Sequence, residues 1–360
     1  MPPATLSPEL REALERVLRE ALDEATRMQG SDPFRAALLI AEVEHDVRSI
    51  GLDALRSSAV RHRGLANFWL GDYVTARVAF LEALRRARAD GDAAGESLAL
   101  SWLGNNQLRL GVYGEAAESY SEARVAARAA GDPELEARAL NGMGILNRHL
   151  GFIGAARDAY LAALELTRAT GNAWEQAKIL NNLGNLDCQA GDFAAAHERL
   201  EEARALYERS GNAKGLVING LNRGALARLT GRYAEARPLL EDARAVLASG
   251  GHAGPLAEAE LELGRLAAEE GDLETAIALL ETASARATGL ADPFYQVAAL
   301  LELGGALIRA ERREAGLSRL REARELASSI GARELLNRAT EALRAAGEGG
   351  ASPRRPLPGV

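Results

Sequence analysis

The stretch LGNNQLRLGVYGEAAESY, residues 103–120, has a counterpart eighty residues later in LGNLDCQAGDFAAAHERL, residues 183–200. Both carry a glycine at the second position, another glycine seven residues later and an alanine five residues after that. The first of these positions recurs every forty residues, as Gly64, Gly104, Gly144, Gly184, Gly224, Gly264 and Gly304. Self-similarity at a fixed period of this length is typical of a solenoid built from stacked supersecondary units.

One unit, residues 92–131, shows that the repeat is helical. Residues 95–110 place leucines along one stripe, and residues 115–129 repeat small or aromatic residues at i, i+4, i+7 and i+11 from Ala116. Both stretches have the residue spacing of an amphipathic helix. Gly111 separates the stripes and Gly131 closes the unit, since glycine readily takes the left-handed conformation that ends a helix. Each unit therefore predicts two antiparallel helices of about 15–17 residues.

We call Gly64, Gly104 and their equivalents at the forty-residue interval the marker glycines. Each falls in the middle of the first helix of its unit, where glycine costs about 1 kcal/mol relative to alanine. We expect it to permit close approach of the second helix, with Ala116 and its equivalents facing Gly104 and its equivalents. The large residue four positions after that alanine, such as Tyr120, is expected in the core.

The chain is thus predicted to be all-α, a solenoid over residues 1–346 with about eight helical hairpins. Residues 332–346 predict a C-terminal capping helix, and residues 347–360, rich in glycine and proline, predict a disordered tail. Glycines near the unit ends, Gly289 among them, are interpreted as turn residues. The predicted units are 8–51, 52–91, 92–131, 132–171, 172–211, 212–251, 252–290 and 291–331.

Composition limits the function. The net charge of −8 argues against a general nucleic-acid binder, because phosphate binding usually needs a basic surface. The single cysteine, Cys188, excludes a disulfide framework. The N-terminus lacks the pattern of a signal peptide, and no apolar run approaches the roughly 20 residues that span a bilayer. We expect a soluble, cytoplasmic protein without a membrane partner.

Leu183-Gly184-Asn185, followed by Gly191-Asp192-Phe193, carries a pattern that resembles the tetratricopeptide repeat. The forty-residue spacing is similar to the variety found in kinesin light chains, polarity adaptors and sensor regions of bacterial transcription regulators. The resemblance covers about residues 8–346. It implies a right-handed superhelix whose first helices line a concave groove, and this groove commonly holds an extended or helical peptide.

The groove positions of the family map onto a polar set in this chain. An asparagine amide offers donors and an acceptor that match a peptide bond, and cations favour acidic side chains or a terminal carboxylate. Trp102 is expected to be an exposed apolar anchor, and the units 252–290 and 291–331 are expected to form an acidic end. A simpler interpretation makes the asparagines ordinary surface residues. The predicted peptide-binding residues are Trp102, Asn105, Arg138, Asn141, Lys178, Asn181, Asn182, Asn185, Asn222 and Arg228.

Some positions depart from the pattern. Arg63 and Arg223 occupy a slot that holds leucine in other units. Either these helices are rotated locally, or the arginine stems pack while the guanidinium reaches a carboxylate. Glu260 also replaces a leucine, which predicts looser packing in the unit 252–290, and Glu311 replaces a turn glycine.

Catalytic chemistry is not indicated. The five histidines form no i, i+4 pair for a metal, Cys188 has no evident acid–base partner, and no glycine loop suits a phosphate. We therefore predict no catalytic residue, metal or cofactor, and a non-enzymatic scaffold that binds a partner peptide in the groove. Two alternatives stay open. One is a sensor module that binds a peptide or small ligand and controls a separate effector; the other is a self-associating adaptor, which would form a homo-oligomer.

Overall fold

The computed structural model describes residues 7–28, 32–250 and 252–348. In these residues every regular element is an α-helix. The helices are α1 Pro8–Met28, α2 Pro33–Ile50, α3 Asp53–Leu70, α4 Tyr73–Asp90, α5 Ala93–Arg109, α6 Tyr113–Ala130, α7 Pro133–His149, α8 Ile153–Thr170, α9 Ala173–Ala190, α10 Phe193–Arg209, α11 Ala213–Leu229, α12 Tyr233–Ser249, α13 Ala253–Glu270, α14 Leu273–Gly289, α15 Pro293–Arg309, α16 Arg313–Ser329 and α17 Arg333–Ala345.

Consecutive helices pack as neighbouring pairs, from α1 with α2 to α15 with α16, and α17 packs on the last pair. This confirms the predicted all-α solenoid. The first helices also contact one another across the stack, as α5 does with α7 and α9 with α11. The second helices are less close to each other, so the stack curves with the first helices on the inner wall. None of the described helices combines the length and apolarity that crossing a bilayer requires.

The turns follow the glycine pattern with two exceptions. Gly131 is left-handed, with φ 66°, and the side chain of Asp132 then accepts from the backbone of α7. Glu311 takes the same conformation without being glycine, with φ 63°. Gly289 is not a turn residue, contrary to the prediction, because α14 continues through it and Ala291 is left-handed with φ 51°. Ala291 keeps the forty-residue interval that Gly331 continues.

The marker glycines make room for the large core residues. A Cβ placed on Gly104 would lie 2.7 Å from Cε1 of Tyr120, and one on Gly142 of the next hairpin would overlap the same ring. The ring, rather than Ala116, fills the space over Gly104, although Ala116 is fully buried beside it. The close approach that we predicted is therefore between a bare helix backbone and an aromatic side chain.

Carboxylates explain the departures from the leucine pattern. Arg63 places its Nη1 and Nη2 each 2.7 Å from Glu44 and Glu82, on the two flanking second helices. Arg223 binds Glu201 in the same way, at 2.7 Å. The arginine stems therefore pack while the guanidinium groups are paired, and the helices are not rotated.

Glu260 is equally well accommodated. It is buried and accepts from both Nε and Nη2 of Arg286 at 2.8 Å. Its charge is therefore paired, and the looser packing expected of the unit 252–290 stays a prediction.

A buried carboxylate joins the two helices of the fifth hairpin to each other and to the hairpin before it. Asp187 of α9 is fully buried, and its two oxygens lie 2.7 Å from Nη1 of Arg157 and Nε of Arg199. The angles are poor for hydrogen bonds. Attraction between charges therefore holds this group, which links α8, α9 and α10.

The curved stack closes on itself. Arg109, at the end of α5, binds Asp292, which precedes α15, with an Nη1–Oδ2 distance of 2.9 Å across 183 residues of sequence. His149, at the end of α7, stacks on Phe294 with ring centroids 3.9 Å apart. The turns that follow α5 and α7, each inside a hairpin, thus contact the turn between α14 and α15, which joins two hairpins.

Two further contacts extend this line. The Nζ of Lys214 lies 3.2 Å from the ring centroid of Trp69, and Gln189 donates to Glu334 across 145 residues. We call this line of contacts between successive coils the seam: Trp69–Lys214, Arg109–Asp292, His149–Phe294 and Gln189–Glu334.

Most of the predicted tail lies outside the described residues. Of residues 347–360 only Gly347 and Glu348 are described, and Glu348 accepts from Nε of Arg321 at 2.9 Å. Residues 1–6, which the prediction included in the solenoid, also lie outside them.

Candidate functional site

Asparagines from three successive first helices meet on the inner wall. Asn182 of α9 donates to Oδ1 of Asn141 of α7 at 2.8 Å, and Asn185 of α9 donates to Oδ1 of Asn222 of α11 at 3.3 Å. The sequence thus predicted a set of amides that the structure does bring together. Each is a first-helix residue placed by the forty-residue register.

Asn219, which the prediction omitted, completes the set from α11. It donates to Oδ1 of Asn181 at 3.1 Å and to the backbone oxygen of Leu200 at 2.9 Å. Asn181 is buried, and its Oδ1 accepts from Asn219, so it is part of the packed wall. The signal for Asn219 was weak, because it stands five residues before Gly224, outside the family's groove positions.

Each amide pair leaves one amide nitrogen and one amide oxygen without a partner among the described residues. Asn182 gives a hydrogen to Asn141, so the amide nitrogen of Asn141 and the oxygen of Asn182 have no partner among the described residues. The same holds for the nitrogen of Asn222 and the oxygen of Asn185. A peptide group presents one N–H and one C=O, and it complements such a pair. We call these two pairs, Asn141–Asn182 and Asn185–Asn222, the amide ladder.

The cations beside the amide ladder are partly neutralised. Nη2 of Arg138 and Nζ of Lys178 bind the two oxygens of Glu175, at 3.1 and 2.8 Å. Burial acts to raise the pKa of Glu175, but Lys178 and Arg138 outweigh it and hold the pKa below its usual value. Two positive charges thus share one carboxylate, and Glu175 is a wall residue that the prediction did not name.

One more cation faces the same region. The guanidinium of Arg61 donates to Oγ of Ser58 at 3.3 Å and pairs with no carboxylate among the described residues. Burial, and then repulsion from Arg138, lowers the pKa of Arg61 to about 10. Asp92 and Asp23 act in the opposite direction from a distance, so the three cations of this region have one carboxylate, that of Glu175, in direct contact.

Arg228 is not available to a ligand carboxylate in this state. It is buried, and its Nε lies 3.0 Å from Glu262 while its Nη1 binds Glu269. Arg265 extends the chain of ion pairs, with its Nε 3.1 Å from Glu302. The end that was expected to be acidic is instead a network of paired charges.

Trp102 is not an exposed anchor. It is half-buried and packs parallel to Phe80, with ring centroids 6.3 Å apart, and edge-on to Phe68 at 5.7 Å. Asn105 accepts from the hydroxyl of Tyr120 at 2.8 Å. Both predicted residues therefore serve the packing of the third hairpin, although the amide nitrogen of Asn105 has no described partner.

The inner wall is closely packed. Its central residues are at most 7% exposed, namely Asn141, Asn181, Asn222, Arg228 and Glu262. At the seam, a cavity of about 20 Å³ lies among Phe68, Tyr73 and Pro255, with room for about one water.

The described residues offer no metal site and no activated nucleophile. They contain no cluster of three or more histidine, cysteine or acidic side chains placed to hold a metal ion. Burial, followed by the charges of Asp187 and Glu262, raises the pKa of the Cys188 thiol to about 12. A thiol of this kind stays protonated at neutral pH and is a poor nucleophile.

Two buried histidines give a pH prediction. Burial lowers the pKa of His62 to about 3 and that of His149 well below 6.5. Both are then neutral in the folded state, whereas the unfolded chain binds protons below about pH 6.5. Stability is unaffected above that pH and falls below it, by about 1.4 kcal/mol per pH unit for each histidine.

The measurement is urea unfolding at pH 7.5 and 5.5. We expect the loss of stability between these values to shrink by about 1.4 kcal/mol in His149→Gln. His45→Gln, at an exposed site on α2, is the matched control. Equal losses in the wild type and His149→Gln would contradict the prediction.

The helical hairpins and their polar inner wall define a repeat protein of the protein-interaction class. Residues 135–209 and 216–289 match the family model described as tetratricopeptide repeat. These two segments are tetratricopeptide repeats, which confirms the resemblance seen in this part of the sequence. No curated protein matches the sequence.

Solved structures share the fold. A Rap protein complexed with competence and sporulation factor is similar with a TM-score of 0.61 and 15% identity, over 92% of this chain and 99% of that one. NprR in complex with its cognate peptide NprX is similar with a TM-score of 0.58 and 12% identity, over 79% of this chain and 84% of that one. The APC/C hetero-tetramer Cut9–Hcn1 is similar with a TM-score of 0.61 and 15% identity, over 89% of this chain and 55% of that one. At these identities the likeness shows the fold alone.

Proposed function

We propose that the chain is a non-enzymatic interaction protein that binds an extended peptide segment of a partner on its inner wall. The observation that carries this proposal is the amide ladder, whose unused donors and acceptors complement peptide groups. Two of the structural neighbours were solved with a peptide or factor bound, which makes a short peptide the first ligand to test.

The spacing of the amide ladder suits an extended chain. Packed helices stand about 8–10 Å apart, and the two pairs are related by one step of the stack. An extended peptide rises about 3.3 Å per residue. The two pairs would therefore engage peptide groups about three residues apart, with little regard to the side chains between them.

The charge of the wall selects among peptides. Arg138 and Lys178 share the one carboxylate of Glu175, and Arg61 lies near Arg138 without a carboxylate in direct contact, although Asp92 and Asp23 attract it from a distance. A charge-assisted hydrogen bond to a carboxylate is among the stronger contacts that a protein offers a ligand. We infer that the preferred peptide carries an acidic side chain or a free C-terminus near Arg61 and Arg138.

A first experiment tests the amide ladder. Purified protein is mixed with a randomised pool of heptapeptides, and the captured peptides are identified by mass spectrometry and measured singly by fluorescence polarisation. We expect Asn182→Ala/Asn185→Ala to weaken binding about 10- to 100-fold, since each hydrogen bond lost contributes about 0.5–1.5 kcal/mol and a tenfold change in affinity is 1.4 kcal/mol.

The controls separate binding from folding. Asn147→Ala changes an asparagine of α7 at a register position outside the predicted groove set, and its affinity should equal that of the wild type. Circular dichroism should give the same helicity for all three proteins. Unchanged affinity in Asn182→Ala/Asn185→Ala would remove the amide ladder from the proposal.

A further inference from the structure

The second helices of the first two hairpins carry a set of exposed apolar side chains on the outer surface. The exposed fractions of these side chains run from 45% to 69%. On each helix they stand three or four residues apart, so they lie on one face. We call them the apolar patch: Phe34 and Leu38 on α2, and Val74, Val78 and Leu81 on α4.

The two halves of the apolar patch lie side by side. Arg63 binds Glu44 of α2 with one guanidinium nitrogen and Glu82 of α4 with the other, each at 2.7 Å, so one side chain spans the gap between these helices. Val74 stands forty residues after Phe34, at the same register position. The two stripes therefore face the same way and form one surface.

The repeat itself does not require apolar residues at these positions. At the register positions of Phe34 and Leu38, the later second helices carry small or polar residues or proline. These are Gly114 and Glu118, Gly154 and Asp158, Ala194 and Glu198, Ala234 and Pro238, Glu274 and Ala278, and Glu314 and Ser318. Packing within the chain therefore does not explain the apolar patch. Contiguous exposed apolar surface is typical of an interaction site.

Opposite charges stand beside the two stripes at one level of the helices. Arg85 lies one turn beyond Leu81 on α4. Its register position on α2, forty residues earlier, falls between Glu42 and Asp46. These three charged side chains are exposed and have no ion-pair or hydrogen-bond partner among the described residues. At this level the α2 side of the apolar patch is therefore acidic and the α4 side is basic.

We propose that the apolar patch is the interface of a homodimer, so that a second copy of this chain covers it. With a two-fold axis that runs between α2 and α4 and along them, α2 of each copy lies on α4 of the other. Phe34 then packs on the partner's Val74, while Glu42 and Asp46 face the partner's Arg85. Because one surface carries both halves of this charge pattern, it complements itself, and this favours a second copy over an unrelated protein.

The charges are needed because the apolar patch is small. A stable interface buries about 800 Å² per partner, more than five partly exposed side chains supply. Charges at the rim mainly steer association and fix the register of the two surfaces. We therefore expect a reversible dimer with a dissociation constant of about 1–100 µM. The interface lies on the outer surface, so this inference is independent of the peptide binding proposed for the inner wall.

Sedimentation velocity over about 1–100 µM tests the interface. The wild type should approach twice the mass of one chain at the upper end of this range. Leu81→Glu places an unpaired charge in the contact and should raise the dissociation constant at least tenfold. Leu161→Glu is the matched control, since it makes the same change at the same register position of α8, where the leucine is 43% exposed. Circular dichroism should give equal helicity for the three proteins.

An exchange of charges identifies the occupant. Glu42→Arg/Asp46→Arg and Arg85→Glu each bring like charges together in the homodimer, and each should raise the dissociation constant about tenfold. When all three changes are made in one chain, opposite charges face each other again, and the dissociation constant should return to within about threefold of the wild type. Such recovery is expected of a second copy alone, because an unrelated partner does not carry the compensating change.

Three results would contradict the homodimer. A strict monomer at about 100 µM would leave the apolar patch to a different protein. A dimer that Leu81→Glu does not weaken would place the contact between copies elsewhere. A triple charge variant that associates as weakly as the two variants it combines would show that Arg85 does not meet Glu42 and Asp46 across the interface.

Discussion

Replacing Arg157 and Arg199 together by methionine is expected to lower the free energy of unfolding by about 3–5 kcal/mol. Both guanidinium groups lie 2.7 Å from the carboxylate of Asp187, which is fully buried. Without them a charge remains in a place that water does not reach, and this desolvation, more than the lost attraction, sets the size of the effect. Urea unfolding followed by circular dichroism measures it.

The third member of the group supplies the sharper test. Adding Asp187→Leu to the double variant removes the stranded charge and should restore most of the stability, since apolar residues often replace a buried ionic group without loss. Arg77→Met/Arg168→Met, at two exposed ion pairs, is the control and should cost under about 1 kcal/mol. A triple variant as unstable as the double would show that packing, and not charge, causes the loss.

Two adjacent glycines of α15 are expected to respond with opposite signs. A Cβ on Gly304 would lie 2.7 Å from Cγ of Leu320 and 3.0 Å from the backbone oxygen of Gly316. Gly304→Ala should therefore destabilise by about 1–3 kcal/mol through overpacking, less the roughly 1 kcal/mol that alanine adds to a helix. Around Gly305 an added Cβ would meet nothing within 4 Å. Gly305→Ala should stabilise by about 0.5–1 kcal/mol.

Each variant is the control for the other, because the same substitution is made at two neighbouring positions of one helix. Urea midpoints of the two variants and the wild type should place the wild type between them. If both substitutions stabilise the protein, the α15–α16 contact is looser than the structure shows, and the marker glycines need another explanation.

The periodic features of the sequence were sufficient for the fold. The positions of Gly104 and Tyr120 recur every forty residues, the first as glycine and the second as a large apolar or aromatic residue. A local pattern therefore predicts the helices, their pairing and the core. The outcome at Gly289 shows how the register works. The forty-residue interval predicts the turn at Ala291 better than residue type does, because the turn belongs to the repeat and not to glycine itself.

The candidate site was less predictable, because each wall residue depends on what a neighbouring helix places beside it. Asn141, Asn182 and Asn185 follow from their register. Arg228, predicted to meet a ligand, is already paired with Glu262, and Trp102 lies among aromatic rings. The pairing of Arg228 with Glu262 and the packing of Trp102 on Phe80 do not recur every forty residues, so the repeat pattern does not predict them.

The seam could not be predicted at all. Arg109 and Asp292 are 183 residues apart, and their meeting depends on how small rotations per hairpin accumulate around the coil. A sequence period gives the number of hairpins but not the rotation between them. Contacts of this kind therefore require coordinates.

The contact between Arg109 and Asp292 also limits how this chain can change in length. A solenoid ordinarily grows or shrinks by whole hairpins, because each touches only its neighbours. Here a duplication or deletion anywhere between these two residues would advance the later coil by one step and leave Arg109 opposite a different turn. The number of repeats is thus tied to the long-distance contacts of the seam, and a hairpin can be gained or lost without breaking them only at the ends of the array.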